Sequence, residues 1–307
     1  MTGESTKRFL IALALGVVLF VAAHDGNAQQ LILKGEYGMK AGTQPPPGLY
    51  VGILGGINLS DELKGPNGNN VPSAGLNLTQ NYFAPLVSWV TDLKIFGGNY
   101  AMAAAVPFTN VMTDFPLLQS STSTGLGLSQ LWIVPFSLGW HFPQADLTVQ
   151  YAFYPPTGRY TPGATNNTGL GMWCIEYAVL GTAYLDPAKN WHLAAGVFYD
   201  VNGKKKDLDW KTGNPLTLMW GFGGNYGEGK SLFQGWLGLA GYAQWQVTAT
   251  TGSAVPLPIA NNATEIFAVG PEFTTLKGAL TIRYFFQFGG TFSTQGQGLY
   301  VQFVMPL

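Results

Sequence analysis

The sequence predicts an all-β protein: a transmembrane, antiparallel, up-and-down β-barrel of about twelve strands with a short N-terminal extension. Three observations carry that expectation. Only 10% of the 307 residues are charged and 47% are hydrophobic, where an ordinary soluble domain carries roughly 25% charge. Much of the surface must therefore meet something apolar. After Ala28 no stretch reaches the 18 or so uninterrupted apolar residues of a membrane helix. The spanning structure left is a closed sheet, which satisfies every backbone N–H and C=O internally. Finally, segment after segment alternates apolar with polar residues, the two-residue period of a strand with one greasy face.

Residues 1–28 read as an export signal. Lys7 and Arg8 precede the apolar run 9–23, and Gly26-Asn27-Ala28 offers the small residues at which a signal peptidase cuts. Some fifteen apolar residues are too few to span a bilayer. Residues 29–48 contain Pro45-Pro46-Pro47, which removes three backbone donors, so this segment cannot pair throughout as a strand. It reads as a periplasmic leader or as a plug folded inside the barrel. Residues 49–307 form the barrel itself.

Its strands are expected to start near Leu49, Leu78, Leu93, Leu128, Ala145, Gly171, Trp191, Pro215, Leu232, Thr264, Leu276 and Gly298. Over 276–288 the even positions are Leu, Gly, Leu, Ile, Tyr, Phe and Phe, while the odd ones include Lys277, Thr281, Arg283 and Gln287. Near the end Leu299, Val301, Phe303, Met305 and Leu307 share one face, with Tyr300 and Gln302 on the other. Connections alternate in character. Long polar stretches (60–75, 109–127, 155–169, 202–214, 249–262, 289–297) separate tight ones (91–92, 142–144, 186–190, 227–231, 274–275), the long-outside, short-inside pattern of outer-membrane barrels. Cys174 is the sole cysteine, so no intramolecular disulfide holds the fold.

The polar phase nominates the residues that face the lumen: Tyr50, Asn58, Gln130, Thr148, Gln150, Tyr154, Glu176, Asp200, Gln244, Gln246, Lys277, Thr281, Arg283 and Gln287. Neutral amides, hydroxyls and rings dominate this set. Charge rings of the kind that select ions are poorly supplied by Glu176, Asp200, Lys277 and Arg283. Twelve strands enclose a lumen between the filled 8-strand barrel and the open 16-strand pore, which suits a narrow path for small uncharged molecules. A net charge of −1 leaves no basic excess for nucleic acid.

Catalytic patterns are missing. His24 lies in the signal, and His141 and His192 are followed by Phe142-Pro143 and Leu193-Ala194, not by the His-x-Ser-Asn setting of outer-membrane phospholipases. The reading is of a protein that is not an enzyme and uses no cofactor or metal. Lys204, Lys205 and Lys206 fall in an expected outer loop, which reads either as a solvated loop or as a contact for lipopolysaccharide phosphates beside the outer-membrane lipids.

Several landmarks follow one another along the chain: Thr43-Gln44-Pro45-Pro46-Pro47-Gly48-Leu49-Tyr50, Tyr154-Pro155-Pro156-Thr157-Gly158-Arg159-Tyr160, Gly241-Tyr242-Ala243-Gln244 and Gly270-Pro271-Glu272. In order and spacing they resemble the outer-membrane family associated with the meta-pathway of phenol degradation. The resemblance covers nearly the whole mature chain and implies a barrel in the outer membrane of a Gram-negative bacterium. It also implies passage of small hydrophobic or aromatic compounds. Such barrels are inserted by the barrel-assembly machinery, which usually meets a terminal Phe; here Leu307 follows Pro306. The competing reading is a structural or ligand-binding barrel without transport, and after it an outer-membrane lipase.

Overall fold

Alternation becomes a closed sheet in the computed structural model, which describes residues 35–71, 75–227 and 233–307. The expected signal segment 1–28, residues 29–34 of the extension and the strand start at Leu232 lie outside the described residues. The strands are β1 (Gly48–Leu63), β2 (Asn77–Ile95), β3 (Gly98–Ala105), β4 (Phe108–Phe115), β5 (Ser120–Ser123), β6 (Gly127–Leu128), β7 (Trp132–His141), β8 (Ala145–Tyr154), β9 (Cys174–Tyr184), β10 (Trp191–Asn202), β11 (Pro215–Tyr226), β12 (Gly235–Gln246), β13 (Glu265–Thr275), β14 (Leu280–Thr291) and β15 (Thr294–Pro306). Twelve of them form an antiparallel ring, β1-β2-β3-β7 and then β8 to β15 in sequence order, closed by pairing of β1 with both β2 and β15. β4, β5 and β6 extend the sheet beyond the ring at the end of the long loops.

β10 shows why these residues make a wall. Trp191, Leu193, Ala195 and Val197 are exposed, while His192, Ala194, Gly196, Phe198, Asp200 and Asn202 alternate with them and are buried. The greasy phase points outward and the mixed phase inward, the inverse of a water-soluble sheet. β9 repeats the pattern, with Tyr177 and Val179 outside and Glu176, Ala178, Leu180 and Thr182 inside. The belt continues around the ring through Ile53, Val87, Phe222, Leu239, Phe286 and Val301.

Four expectations need correction. The turn placed at Thr91-Asp92, with a strand from Leu93, is a bulge inside β2: pairing slips between Val90 and Lys94, and the Thr91 hydroxyl donates to the Tyr100 carbonyl. The chain reverses at Phe96-Gly97, both at positive φ (50° and 81°), as a two-residue hairpin requires. The supposed loop 109–127 holds β4 to β6, because Thr109, Val111, Thr113 and Phe115 alternate as a strand face. The strand expected from Leu276 begins at Leu280. Leu276 and Lys277 adopt left-handed φ (51° and 57°) in a single 3-10 turn, so Lys277 is an exposed turn residue and not a lumen residue. Likewise 289–297 is no long loop: β14 runs to Thr291 and β15 starts at Thr294. Its Gly, Ser, Thr and Gln composition carries no apolar alternation, so periodicity could not reveal the hairpin.

Candidate functional site

Residues 35–44 lie inside the barrel, and Pro45, Pro46 and Pro47 are exposed at its mouth. Pro45-Pro46-Pro47 carries the chain in from the tight-turn end, where the Tyr50 hydroxyl donates to the Pro46 carbonyl at 2.7 Å. Two reverse turns, Thr43 N–H to Lys40 O and Ala41 N–H to Gly38 O, then fold it across the lumen. Successive walls hold this strap. Gly42 N–H donates to the Thr182 hydroxyl and the Thr148 hydroxyl to the Gly42 carbonyl, both at 3.0 Å. Met39 N–H reaches Glu272 Oε2 at 3.0 Å on the opposite side. Arg283 donates to the Glu36 carbonyl at 2.8 Å, and Tyr37 packs on Phe198 at 5.2 Å between ring centroids. Lys40 sets its ammonium 4.2 Å above the Trp236 ring, a cation–π contact.

Glycine on both surfaces makes this close approach possible. A Cβ on Gly221 of β11 would lie 2.4 Å from Met39 N, one on Gly223 2.1 Å from Met39 Sδ, and one on Gly139 of β7 2.6 Å from the Gln44 side chain. On the strap, a Cβ at Gly38 would overlap the Glu272 carboxylate and one at Gly42 the backbone of Gly181. Replacing Gly221 by Ala is therefore expected to lift the strap from β11 at a cost of about 1–3 kcal/mol. The check is protease cleavage within 35–47 of the folded protein, which should speed up while the barrel stays heat-modifiable.

The interior is more charged than the polar phase implied. Glu272 of β13 binds Arg283 of β14 (Oε2 to Nε, 3.1 Å), and both are buried. Glu272 also accepts from Trp236 Nε1 at 3.3 Å and from Met39, so its two oxygens are fully used. Asp146 accepts from Tyr184 at 2.6 Å and from His141 Nδ1 at 2.9 Å, and the Tyr184 hydroxyl lies 3.2 Å from Thr43 of the strap. Beyond the strap, Tyr82, Phe198, Tyr242, Phe285 and Tyr300 fill the middle of the lumen, with Phe285 5.4 Å from Tyr242 and 5.5 Å from Tyr300. Beside this cluster a cavity of about 80 Å³ remains, with Leu54, Tyr82, Trp132, Tyr154, Gln130 and Glu36 among its lining.

Most of the nominated residues meet in this interior. Besides Tyr50, Thr148 and Arg283 at the strap, Asn58 accepts from the Tyr300 hydroxyl, and Gln287 donates to the Tyr242 hydroxyl. Gln244 donates to Thr217, and Thr281 meets Thr274. Tyr154 and Gln150 donate to Glu176, and Asp200 pairs with Glu176 across β9 and β10. Gln130 is inside but outside any strand, bonded to the Met172 carbonyl and the Leu170 N–H. Gln246 ends β12 and donates to the Thr248 carbonyl in the loop beyond. Lys277 alone is excluded. The selection from the polar phase missed Asp146, Thr182, His192 and Glu272, all on inward positions, and Glu36, Tyr37 and Met39 on the strap. For Asp146, Thr182 and His192 the signal was present, since each sits an even step from a nominated residue of its own strand, Thr148, Glu176 and Asp200; β13, which carries Glu272, had no nominated residue. His192 is fully buried and its ring nitrogens have no hydrogen-bond partner among the described residues, while His141 binds Asp146.

At the long-loop end, Lys204 pairs with Asp209 at 2.8 Å, and Asp209 also accepts from Ser253. The Lys204 hydrogen bond, with help from Ser253, holds the Asp209 carboxyl well below the usual carboxylate range. Lys205 is buried over the Tyr160 and Trp210 rings. Lys204 and Lys206 are exposed.

A solved outer-membrane channel shares this architecture. The COG4313 outer membrane channel from Pseudomonas putida F1 superposes with a TM-score of 0.70 over 90% of this chain and 100% of its own, at 15% identity. The translocator domain of the autotransporter NalP from Neisseria meningitidis gives 0.49 over 94% of this chain and 97% of its own, at 11% identity. No curated protein shows significant similarity to the sequence. The likeness at 15% identity is one of fold. A family model, in contrast, matches residues 60–303, from the outer half of β1 into β15. The chain thus belongs to the family described as "Putative MetA-pathway of phenol degradation".

Proposed function

We propose that the protein is an outer-membrane channel through which small hydrophobic or aromatic compounds permeate passively, and that the strap of residues 35–47 sets the width of the path. The observation that carries this reading is the cavity beside the strap. Leu54, Trp132 and Tyr82 offer it apolar and stacking faces, and Gln130, Tyr154 and Glu36 offer hydrogen bonds. That lining favours a small ring bearing a polar group over a hydrated ion, which would lose its water shell. Family membership and the fold shared with an outer membrane channel support the same reading, as does the greasy outward belt for an outer-membrane location. The Glu272 carboxylate is paired with the Arg283 guanidinium, so this pair adds little net field along the path. We read no catalytic role, cofactor or metal. Outer-membrane lipid, lipopolysaccharide phosphate at Lys206 and the barrel-assembly machinery are the proposed partners, and residues 1–28 the proposed export signal.

A specific observation favours a second reading. The strap and the aromatic cluster fill the middle of the lumen, which also suits a structural or ligand-binding barrel that never conducts. Liposome uptake separates the two. If the strap gates a path, deleting residues 29–45 is expected to raise entry of phenol severalfold above the parent protein. In cells lacking other outer-membrane channels, loss of the protein should slow growth on a hydrophobic aromatic carbon source at limiting concentration. Unchanged uptake with parent, deletion variant and empty liposomes would leave the structural reading standing.

A further inference from the structure

Glu176 on β9 and Asp200 on β10 are direct cross-strand partners, which sets their Cβ atoms about 4.5–5.5 Å apart on the inward face. Both are at least 98% buried. Glu176 is supplied with neutral donors: the Tyr154 hydroxyl at 2.6 Å and the Gln150 amide at 3.5 Å. Asp200 is not: its Oδ1 is buried and has no hydrogen-bond partner among the described residues. From the strap comes a third carboxyl, Glu36, which lines the cavity that the Glu176 partner Tyr154 also lines. Among the described residues, none of the three has a basic side chain at ion-pair distance. The nearby Arg283 guanidinium binds Glu272, and the other ion pairs lie at Lys64, His141 and Lys204. Of the other buried carboxylates among the described residues, Glu272 has Arg283 and Asp146 has Tyr184 and His141, so Asp200 is the exception within the same lumen.

A buried carboxylate without a counter-charge is costly, and the Glu176–Asp200 pair, joined through Tyr154 to the cavity that Glu36 lines, creates a field that a positive charge relieves. We propose that Glu36, Glu176 and Asp200 form a cation-binding subsite in the lumen, filled by a monovalent cation: the ammonium group of a permeating amine or an alkali ion. Asp200 Oδ1 accepts the bond it lacks, and Glu176 and Glu36 supply the remaining charge. The Tyr154 and Trp132 rings stand by, and Leu54, Ala84 and Ala105 take an apolar body. This deepens the channel reading and rests on it, since an amine must enter the lumen to reach the site.

The test uses the full-chain barrel purified in detergent, titrated calorimetrically with benzylammonium chloride, benzyl alcohol and sodium chloride. Benzylammonium is expected to bind at least about tenfold more weakly to Asp200→Asn and to Glu176→Gln, the effect of one lost charge-assisted hydrogen bond. Benzyl alcohol should bind parent and variants alike. Competition in the parent needs no variant: benzylammonium unaffected by sodium assigns the site to an organic ammonium, and displacement by millimolar sodium assigns it to an alkali ion. Equal binding of the amine and the alcohol, insensitive to both substitutions and to sodium, overturns the proposal. Benzyl alcohol flux into liposomes reports on the channel reading separately: flux that persists in that case leaves the channel standing and removes only the subsite.

Discussion

Val179→Arg is expected to remove about 2–4 kcal/mol of stability, the cost of a basic side chain facing lipid near the bilayer midplane. Val179 sits at the middle of β9 with its side chain outward, flanked across the strands by Val149 and Val197. Arginine there has no neighbour to pair with and a long reach to either interface. At Gln80 the same substitution should be mild, because this position lines the cavity that Glu36 also lines. Recovery of the heat-modifiable band after refolding into lipid, followed against urea, measures both. Equal loss for the two variants would mean that the inward and outward phases are misassigned, since a one-residue slip exchanges every side chain between the faces.

Arg283→Met should cost still more, about 3–5 kcal/mol, by leaving Glu272 as a buried charge without its counter-ion. The loss reaches beyond the wall, because Arg283 also holds the Gly35 and Glu36 carbonyls. The strap should therefore come free at its inner end. Two measurements check this: the urea midpoint and the rate of proteolysis within 35–47. Adding Glu272→Gln to Arg283→Met is expected to return part of the stability without returning the strap's protection, because the charge is gone but the anchor is still missing. Full protection in the single variant would show that Met39, Gly42 and Thr43 suffice to seat the segment.

The barrel was legible because lipid outside and a mixed interior impose the same period-two pattern on every strand. The starts of β8, β10 and β11 were read to the residue, since Ala145, Trp191 and Pro215 each follow a polar connection and open an alternation. Legibility failed where that contrast fades. Thr91-Asp92 looks like a turn and is a bulge, and 289–297 has polar residues on both faces near the loop end. The site was half visible. Landmarks quoted for the family resemblance include Glu272, Tyr154, Tyr242 and Gln244, all now inside the lumen, yet nothing in strand periodicity could pair Glu272 with Arg283 or place Met39. An irregular segment threaded through a barrel has no period of its own; only the unusual prolines marked it.

Where the strap finds its partners sets an order on assembly. Met39 bonds a residue 233 positions downstream, Gly42 one 140 positions downstream, and Arg283 reaches back 248 positions to Gly35. The earliest part of the barrel chain to leave the ribosome must wait for nearly the last. β1 meanwhile has to seal against β15 to close the ring, and the strap is attached to the start of that same strand. Either the segment is laid into the half-built wall before the final seam zips, or it must be fed through the finished mouth afterwards. Contacts of such long range form slowly, so the docking of residues 35–47, rather than the pairing of neighbouring hairpins, is the step expected to finish last when this protein folds.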